Sequence, residues 1–348
     1  MTDPLTDIVG LIRPRAVLWK RLDGAGDWAV RFPANSDVNF GMVTDGSCVL
    51  LGAGPPRALA AGDFVLLCGP PAFCFASGPG VPPQDGEALL ADSEDNAITV
   101  GTGPGHLSPV RLVGGHFLLD PANSALLLGL VPALVHLRGT ESGARRISRL
   151  LELLGDEIAA DRPGAGFVLP RLVEVMLVEA LRGQPVEPEN PAGPENPAAA
   201  GTAADPVSPA AGIPAASPIP AKGLLAGLAD PPVATALRAM HADVARPWTV
   251  ASLAAVAHQS RSVFAERFLA RVGSTPIAYL LAWRMALAKD ALARGRTIDE
   301  VARAVGYGSA SAFATAFRRA TGRTPGHYAR RAGEVTGSRG RHERALSR

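Results

Sequence analysis

The chain has 348 residues, 34 Lys and Arg against 32 Asp and Glu, and three cysteines, which leaves room for two separately cored domains. No apolar run reaches the ~18 residues of a membrane span. The closest, 125–137, is cut by Pro132. The start, Met1-Thr-Asp-Pro-Leu5, lacks the basic and apolar stretches of a secretory signal, so a cytoplasmic protein without membrane contact is expected.

Short apolar runs separated by Gly and Pro turns occupy the first ~110 residues, the pattern of a β-barrel or jelly roll. Phe40–Val43, Ser47–Leu51, Phe64–Cys68 and Ala72–Ala76 are the expected strands, with a turn at Gly62-Asp63. After Glu141 the period becomes helical. Ile147, Leu150, Leu151, Leu154 and Ile158 share one face, with Arg145, Arg146, Arg149 and Glu152 opposite. Pro163-Gly164 ends this helix and a second runs from about Leu169 to Leu181. The hairpin, 141–182, either covers the open end of the barrel domain of 1–140 or pairs with a second subunit.

Residues 183–221 hold ten prolines, eleven alanines and no aromatic. Such a segment cannot bury enough apolar surface to offset its ordering entropy, so a disordered linker is expected. The charge changes sign across it. From Lys222 onward there are 20 Lys and Arg against 8 Asp and Glu, a net of +12, whereas residues 1–221 hold 14 against 24, a net of −10. A basic half beside an acidic one points to a polyanion partner for the basic half.

Within 222–331 one pattern occurs twice. Ser260-x-Ser262-x-Phe264-x-x-x-Phe268 followed by Gly273-x-x-Pro276-x-x-Tyr279 returns as Ser309-x-Ser311-x-Phe313-x-x-x-Phe317 followed by Gly322-x-x-Pro325-x-x-Tyr328, each pair offset by 49. Each copy reads as a helix-turn-helix, so duplex DNA is the expected partner. Thr249 and Ser260 are the expected caps of the first copy, and Thr297-x-x-Glu300 and Ser309 those of the second. Leu253-Ala254 matches Val301-Ala302 at an offset of 48, which makes the second turn one residue longer and puts His258 where Gly306 sits. If that position needs positive φ, His258 is strained. Thr275-Pro276 starts a long joining helix that Gly295 ends, able to hold the recognition helices about one DNA turn, ~34 Å, apart. The segment 332–348 is a basic tail.

These residues resemble the AraC/XylS family of transcription regulators from Ala229 to Arg331. The likeness rests on Arg246-Pro247-Trp248-Thr249, on Ile298-x-x-Val301-Ala302-x-x-Val305-Gly306-Tyr307-x-Ser309, and on the Gly-x-x-Pro closures. Asp3-Pro-Leu-x-Asp7, Gly26-Asp-Trp28, Arg31-Phe-Pro33, Ala61-Gly-Asp-Phe64 and Gly114-Gly-His-Phe117 are similar to the subgroup with a cupin-type amino-terminal domain. The resemblance implies a multidomain α+β chain: a cupin-like sensor barrel with its helical hairpin, then an all-α domain of two helix-turn-helix units.

It also implies a sequence-specific regulator, an activator by family habit, whose partners are promoter DNA, RNA polymerase, a small-molecule effector and a second copy of the chain. The DNA-facing positions it implies are Ser262, Ala265 and Glu266 in the first recognition helix, and Ala310, Ser311 and Thr315 in the second. Arg261 would reach a base or a phosphate, Glu266 would accept from cytosine N4, and Arg318, Arg319 and Arg323 would lie near phosphates.

Two other classes compete: a cupin-type enzyme tethered to DNA, and a non-specific architectural DNA binder. Catalytic cupins hold metal through a His-x-His…Glu cluster and a later histidine. Here 37–43 has no histidine and Phe73-Cys74 stands where the later one would fall, so neither metal nor enzyme activity is expected. Cys68 and Cys74 flank a Pro-Pro turn and form a candidate redox pair; buried use as small hydrophobes is the plainer reading.

Overall fold

The structure is a computed structural model that describes residues 3–12, 16–35, 37–93, 97–101, 109–118, 131–160, 162–183 and 222–330. The expected linker, apart from Gly183, and the basic tail lie outside the described residues. Among the described residues no helix is long and apolar enough to cross a membrane.

Helix α1 (Pro4–Ile12) precedes a sandwich of two sheets. One sheet is built from β1 (Ala16–Gly24), β3 (Val38–Asp45), β6 (Phe64–Cys68), β9 (Ala97–Val100), β10 (Val110–Leu118) and β11 (Leu134–Leu137), in the order β11-β6-β3-β10-β1-β9. The second contains β2 (Ala29–Phe32), β4 (Ser47–Leu51), β5 (Arg57–Ala60), β7 (Phe73–Ala76) and the two-residue β8 (Gln84–Asp85), in the order β5-β4-β7-β2-β8. The expected barrel is therefore an open two-sheet sandwich: among the described residues no ladder joins the sheets into a closed ring. A short helix α2 (Gly86–Ala91) follows β8, capped by Asp85.

Strand β6 explains how the layers stack. Its five residues are all buried, because both of its faces are covered. Val65 and Leu67 point between the sheets, toward Val30, Leu50, Phe73 and Phe75. Phe64, Leu66 and Cys68 point the other way, into a core shared with α1, α3 (Ser142–Ala160) and α4 (Ala165–Arg182). The helical hairpin is thus the third layer. Ile147, Leu151 and Leu154 are fully buried, as their period predicts, while Arg145, Arg146 and Arg149 are exposed.

That core does not stop at the hairpin. It runs on from Leu5, Ile8 and Val9 into the carboxy-terminal helices, through Val233, Leu237, Met240, Trp248 and Phe268. Those helices are α5 (Leu224–Ala229), α6 (Pro231–Ala242), α7 (Val250–Val256), α8 (Arg261–Val272), α9 (Pro276–Ala293), α10 (Ile298–Ala304) and α11 (Ala310–Thr321), with residues 325–330 also helical. Helix α9 joins this shared core to a smaller one. Its first half packs Tyr279, Leu280 and Trp283 into the shared one, and its second half packs Met285, Ala288 and Leu292 against Val301, Phe313 and Phe317.

At the seam between the halves, Asp7 on α1 bonds His241 on α6, Oδ2 to Nδ1 at 2.9 Å. His241 Nε2 meets the Tyr279 hydroxyl at 2.8 Å, and the imidazole stacks on Trp283 at 4.5 Å between centroids. With Nδ1–H donating to the carboxylate and Nε2 accepting from the phenol, a neutral imidazole satisfies every contact. Burial holds His241 below its usual range, against the opposing pull of Asp7.

Candidate DNA interface

Each helix-turn-helix begins with a reciprocal cap. Thr249 Oγ1 accepts from the Ser252 amide at 3.0 Å while Ser252 Oγ accepts from the Thr249 amide at 2.9 Å. Thr297 and Glu300 make the same exchange at 3.3 and 3.0 Å, and those hydrogen bonds hold the Glu300 carboxyl below its usual range. The first exchange is a capping box with serine in place of glutamate, and for that reason it is hidden from a search for Thr-x-x-Glu.

The turns follow. His258 has φ 53°, the one positive-φ residue besides glycine among the described residues, and Gly306 has φ 81°. A Cβ on Gly306 would lie 2.3 Å from the Ala245 carbonyl oxygen. The second turn therefore presses on the loop before α7. Arg284 holds that same loop through the carbonyls of Val244, at 2.9 Å, and Arg246, at 2.7 Å, while Arg246 stacks on Trp248 at 4.2 Å. These contacts account for the Arg246-Pro-Trp-Thr249 segment: it is the wedge between the two units.

The expected recognition helices are α8 and α11. Ser309 caps α11, accepting from the Ala312 amide at 3.2 Å. Ser260 stands at the corresponding place before α8 but makes no side-chain cap bond, so its expected capping role is corrected. In each copy the two phenylalanines are fully buried, with ring centroids 5.7 Å apart in the first and 5.5 Å in the second. The tyrosine of the Gly-x-x-Pro-x-x-Tyr closure then meets the second ring of its copy edge-on: Phe268–Tyr279 at 6.0 Å and Phe317–Tyr328 at 5.6 Å. The offset of 49 is a repeated packing unit.

Opposite the phenylalanines, Arg261, Ser262 and Glu266 are exposed on α8, as are Ser311, Thr315, Arg318 and Arg319 on α11 and Arg323 just after it. Ala265 and Ala310 are only half-exposed, because each lies toward the buried edge of its helix. Thr315 Oγ1 donates to the Ser311 carbonyl at 3.0 Å, which spends its proton and leaves the oxygen as an acceptor. Val263, 52% exposed between Ser262 and Glu266, and its counterpart Ala312 are apolar members of the same faces. They escape a polar-residue search, yet a methyl group is what meets a thymine methyl.

Two arginines of α8 turn inward. Arg267 Nε contacts both Asp230 oxygens, at 2.9 and 2.8 Å, and Arg271 reaches the same carboxylate at 3.3 Å. Asp230 also caps α6, accepting from the Val233 amide at 3.4 Å. These contacts orient α8 and leave Arg261 as its one basic side chain without an ion pair among the described residues.

The amino-terminal candidates do not converge. Cys68 faces the helical layer, while Cys74 alternates with Phe73 and Phe75 and so points off the outer face of the other sheet. The expected Cys68–Cys74 pair is thus not brought together. Burial raises both thiols, Cys68 to about 12, which suppresses the thiolate that disulfide chemistry needs. His136 bonds Asp63 at 3.0 Å, His116 lines the space between the sheets, and among the described residues no three His, Cys, Asp or Glu gather as metal ligands would. The donor set of the described residues does not fit the metal of catalytic cupins.

Comparison with known proteins agrees with this architecture. A cupin family model matches residues 3–184, and a helix-turn-helix domain model matches residues 253–331. The chain is similar to a Streptomyces lividans protein named as an AraC-like transcription regulator, at 37% identity over 94% of this chain and 97% of that one. It is also similar to the transcriptional regulator AlkR of Acinetobacter baylyi, at 27% identity over 87% and 91%. Among solved structures, the DNA-binding domain of AdpA in complex with a target DNA matches at 33% identity, covering 29% of this chain and 90% of that one, with a TM-score of 0.27.

Proposed function

The chain belongs to the AraC-like transcription regulators with a cupin amino-terminal domain, and from that premise we propose that it activates transcription by reading promoter DNA through α8 and gripping it through α11. One observation carries the division of labour. Helix α8 exposes Arg261, Glu266 and the methyls of Val263, whereas α11 exposes small hydroxyls and then Arg318, Arg319 and, just beyond, Arg323. Side chains of the first kind contact base edges; arginines at the end of a helix meet phosphates.

Glu266→Ala should change preference at one base pair and leave the others intact. Arg318→Ala should weaken all sequences alike and lower the salt slope by about one. Binding of each variant to a randomised site library checks this, and equal loss at every sequence for Glu266→Ala refutes the assignment.

The remaining parts of the proposal concern partners. A small molecule entering the sandwich modulates DNA occupancy, and RNA polymerase is recruited at the bound promoter; run-off transcription with purified polymerase, unchanged by the protein, would count against activation. Two copies pair through the hairpin, whose Leu153, Phe167 and Val175 are exposed, Phe167 by 73%. Phe167→Asp should convert the dimer to a monomer in sedimentation velocity, with the fold retained.

A further inference from the structure

The interior of the sandwich holds a narrow cleft that opens to solvent. Its walls are apolar: Phe32, Phe73 and Phe75 from one sheet, Leu67, Ile98 and Leu112 from the other. Four lining residues break that pattern: Arg21 on β1, and three that form a row across neighbouring strands. Asn39 on β3 is paired with His116 on β10, and His116 lies diagonal to Lys20 on β1, whose partner is Gly114. Diagonal neighbours on one face stand roughly 7–8 Å apart, close enough for one anionic group to touch both.

Lys20 is the anomaly. Its ammonium stands over the Phe32 ring, 5.5 Å from the centroid, and it makes no ion pair with the described residues. Burial lowers it, with the charge of Glu87 opposing. His116 is lowered by burial and by Lys20 itself, and Asp37 and Glu87 oppose. A positive group kept half out of water in an apolar cleft, with no carboxylate of the described residues in an ion pair with it, favours a balancing charge. Asn39 is already committed, donating to Asn35 Oδ1 at 2.8 Å. Gly114, the partner of Lys20, sits where a Cβ would lie 2.5 Å from the Phe40 carbonyl oxygen, so this position of the row carries no side chain.

We propose that this cleft binds a small carboxylate with an apolar body, the carboxylate held between Lys20 and His116 and the body lying against Phe32, Phe73 and Phe75. The proposal rests on the reading of the sandwich as the sensor and gives that sensor a ligand class. Lys20 supplies charge, and the imidazole of His116 donates a hydrogen bond. The phenylalanine walls are indifferent to detail, so the charge and not the shape sets the class.

Calorimetry on the full chain with benzoate, naphthoate and decanoate, each beside its primary amide, tests it. At least one acid should bind ten or more times tighter than its amide. Lys20→Met should erase that preference, Lys20→Arg should keep it, and Glu87→Gln should tighten the acid two- to threefold by removing a competing anion. A preference below tenfold in all three pairs overturns the proposal, and so does a Lys20→Met protein that melts as a folded chain and still prefers the acid. Should Lys20→Met not fold, an unchanged acid affinity in Glu87→Gln takes its place as the contrary result. Acid-selective binding that leaves DNA affinity unmoved would instead overturn the sensor reading and leave the ligand class standing.

Discussion

His258 and Gly306 occupy matching turns with φ of 53° and 81°, yet one carries a side chain that resists the left-handed region. An L-residue there costs roughly 1–2 kcal/mol, partly offset by the unfolded-state entropy that glycine would add. His258→Gly should therefore stabilise the protein by about 0.5–1 kcal/mol in urea unfolding. Gly306→Ala should destabilise it by about 2 kcal/mol or more, since the new Cβ would strike the Ala245 backbone as well as strain the turn. This position was legible in the sequence because the repeat offset slips from 49 to 48 across it. The use of Ser252 as a reciprocal cap was not, because serine at the third helical position has no fixed signature.

Among elements, the recognition helices were readable because phenylalanine spacing, caps and Gly-x-x-Pro closures all fall on one short segment. The strands were readable only where apolar runs are unbroken, as in Phe64–Cys68. Strand β10 contains Gly114-Gly115 and strand β1 contains Lys20-Arg21, so neither shows the alternation that betrays a strand. Which basic residues of α8 stay exposed was hidden for a different reason: nothing in the sequence marks Arg267 and Arg271 as turned inward, and Asp230, 37 and 41 residues upstream of them, takes both. Asp230→Ala should cost about 2–3 kcal/mol, because a cap is lost and two arginines lose a buried carboxylate. Urea denaturation checks the stability, and the same variant should lose DNA affinity at every sequence as α8 loosens.

At the scale of the whole molecule, the contact between Asp7 and His241 spans 234 positions, and neither residue carries a local signal that could announce it. It has a pH signature. A histidine held neutral in the fold binds fewer protons than in the unfolded chain, where its pKa is about 6.5. Stability from that depression is present above this value and is lost as the pH falls below it. His116 and His136 are lowered as well and add to the same slope. The melting temperature should therefore fall between pH 7 and pH 5. His241→Gln should melt lower at pH 7 and lose less on acidification, and a parallel pH profile for the variant would show that His241 carries none of the slope.

The apolar seam beneath that contact sets a rule for rearranging the protein. Leu5, Ile8 and Val9 share their core with Val233, Leu237 and Met240, so the first turns of the chain are structurally part of the DNA-binding half. A hybrid regulator spliced at the proline-rich segment would inherit a foreign opening helix against α6. Exchanging residues 4–12 together with the contact face of α6 would keep such a hybrid whole, and a fragment starting at Lys222 would carry an uncovered greasy strip into solution.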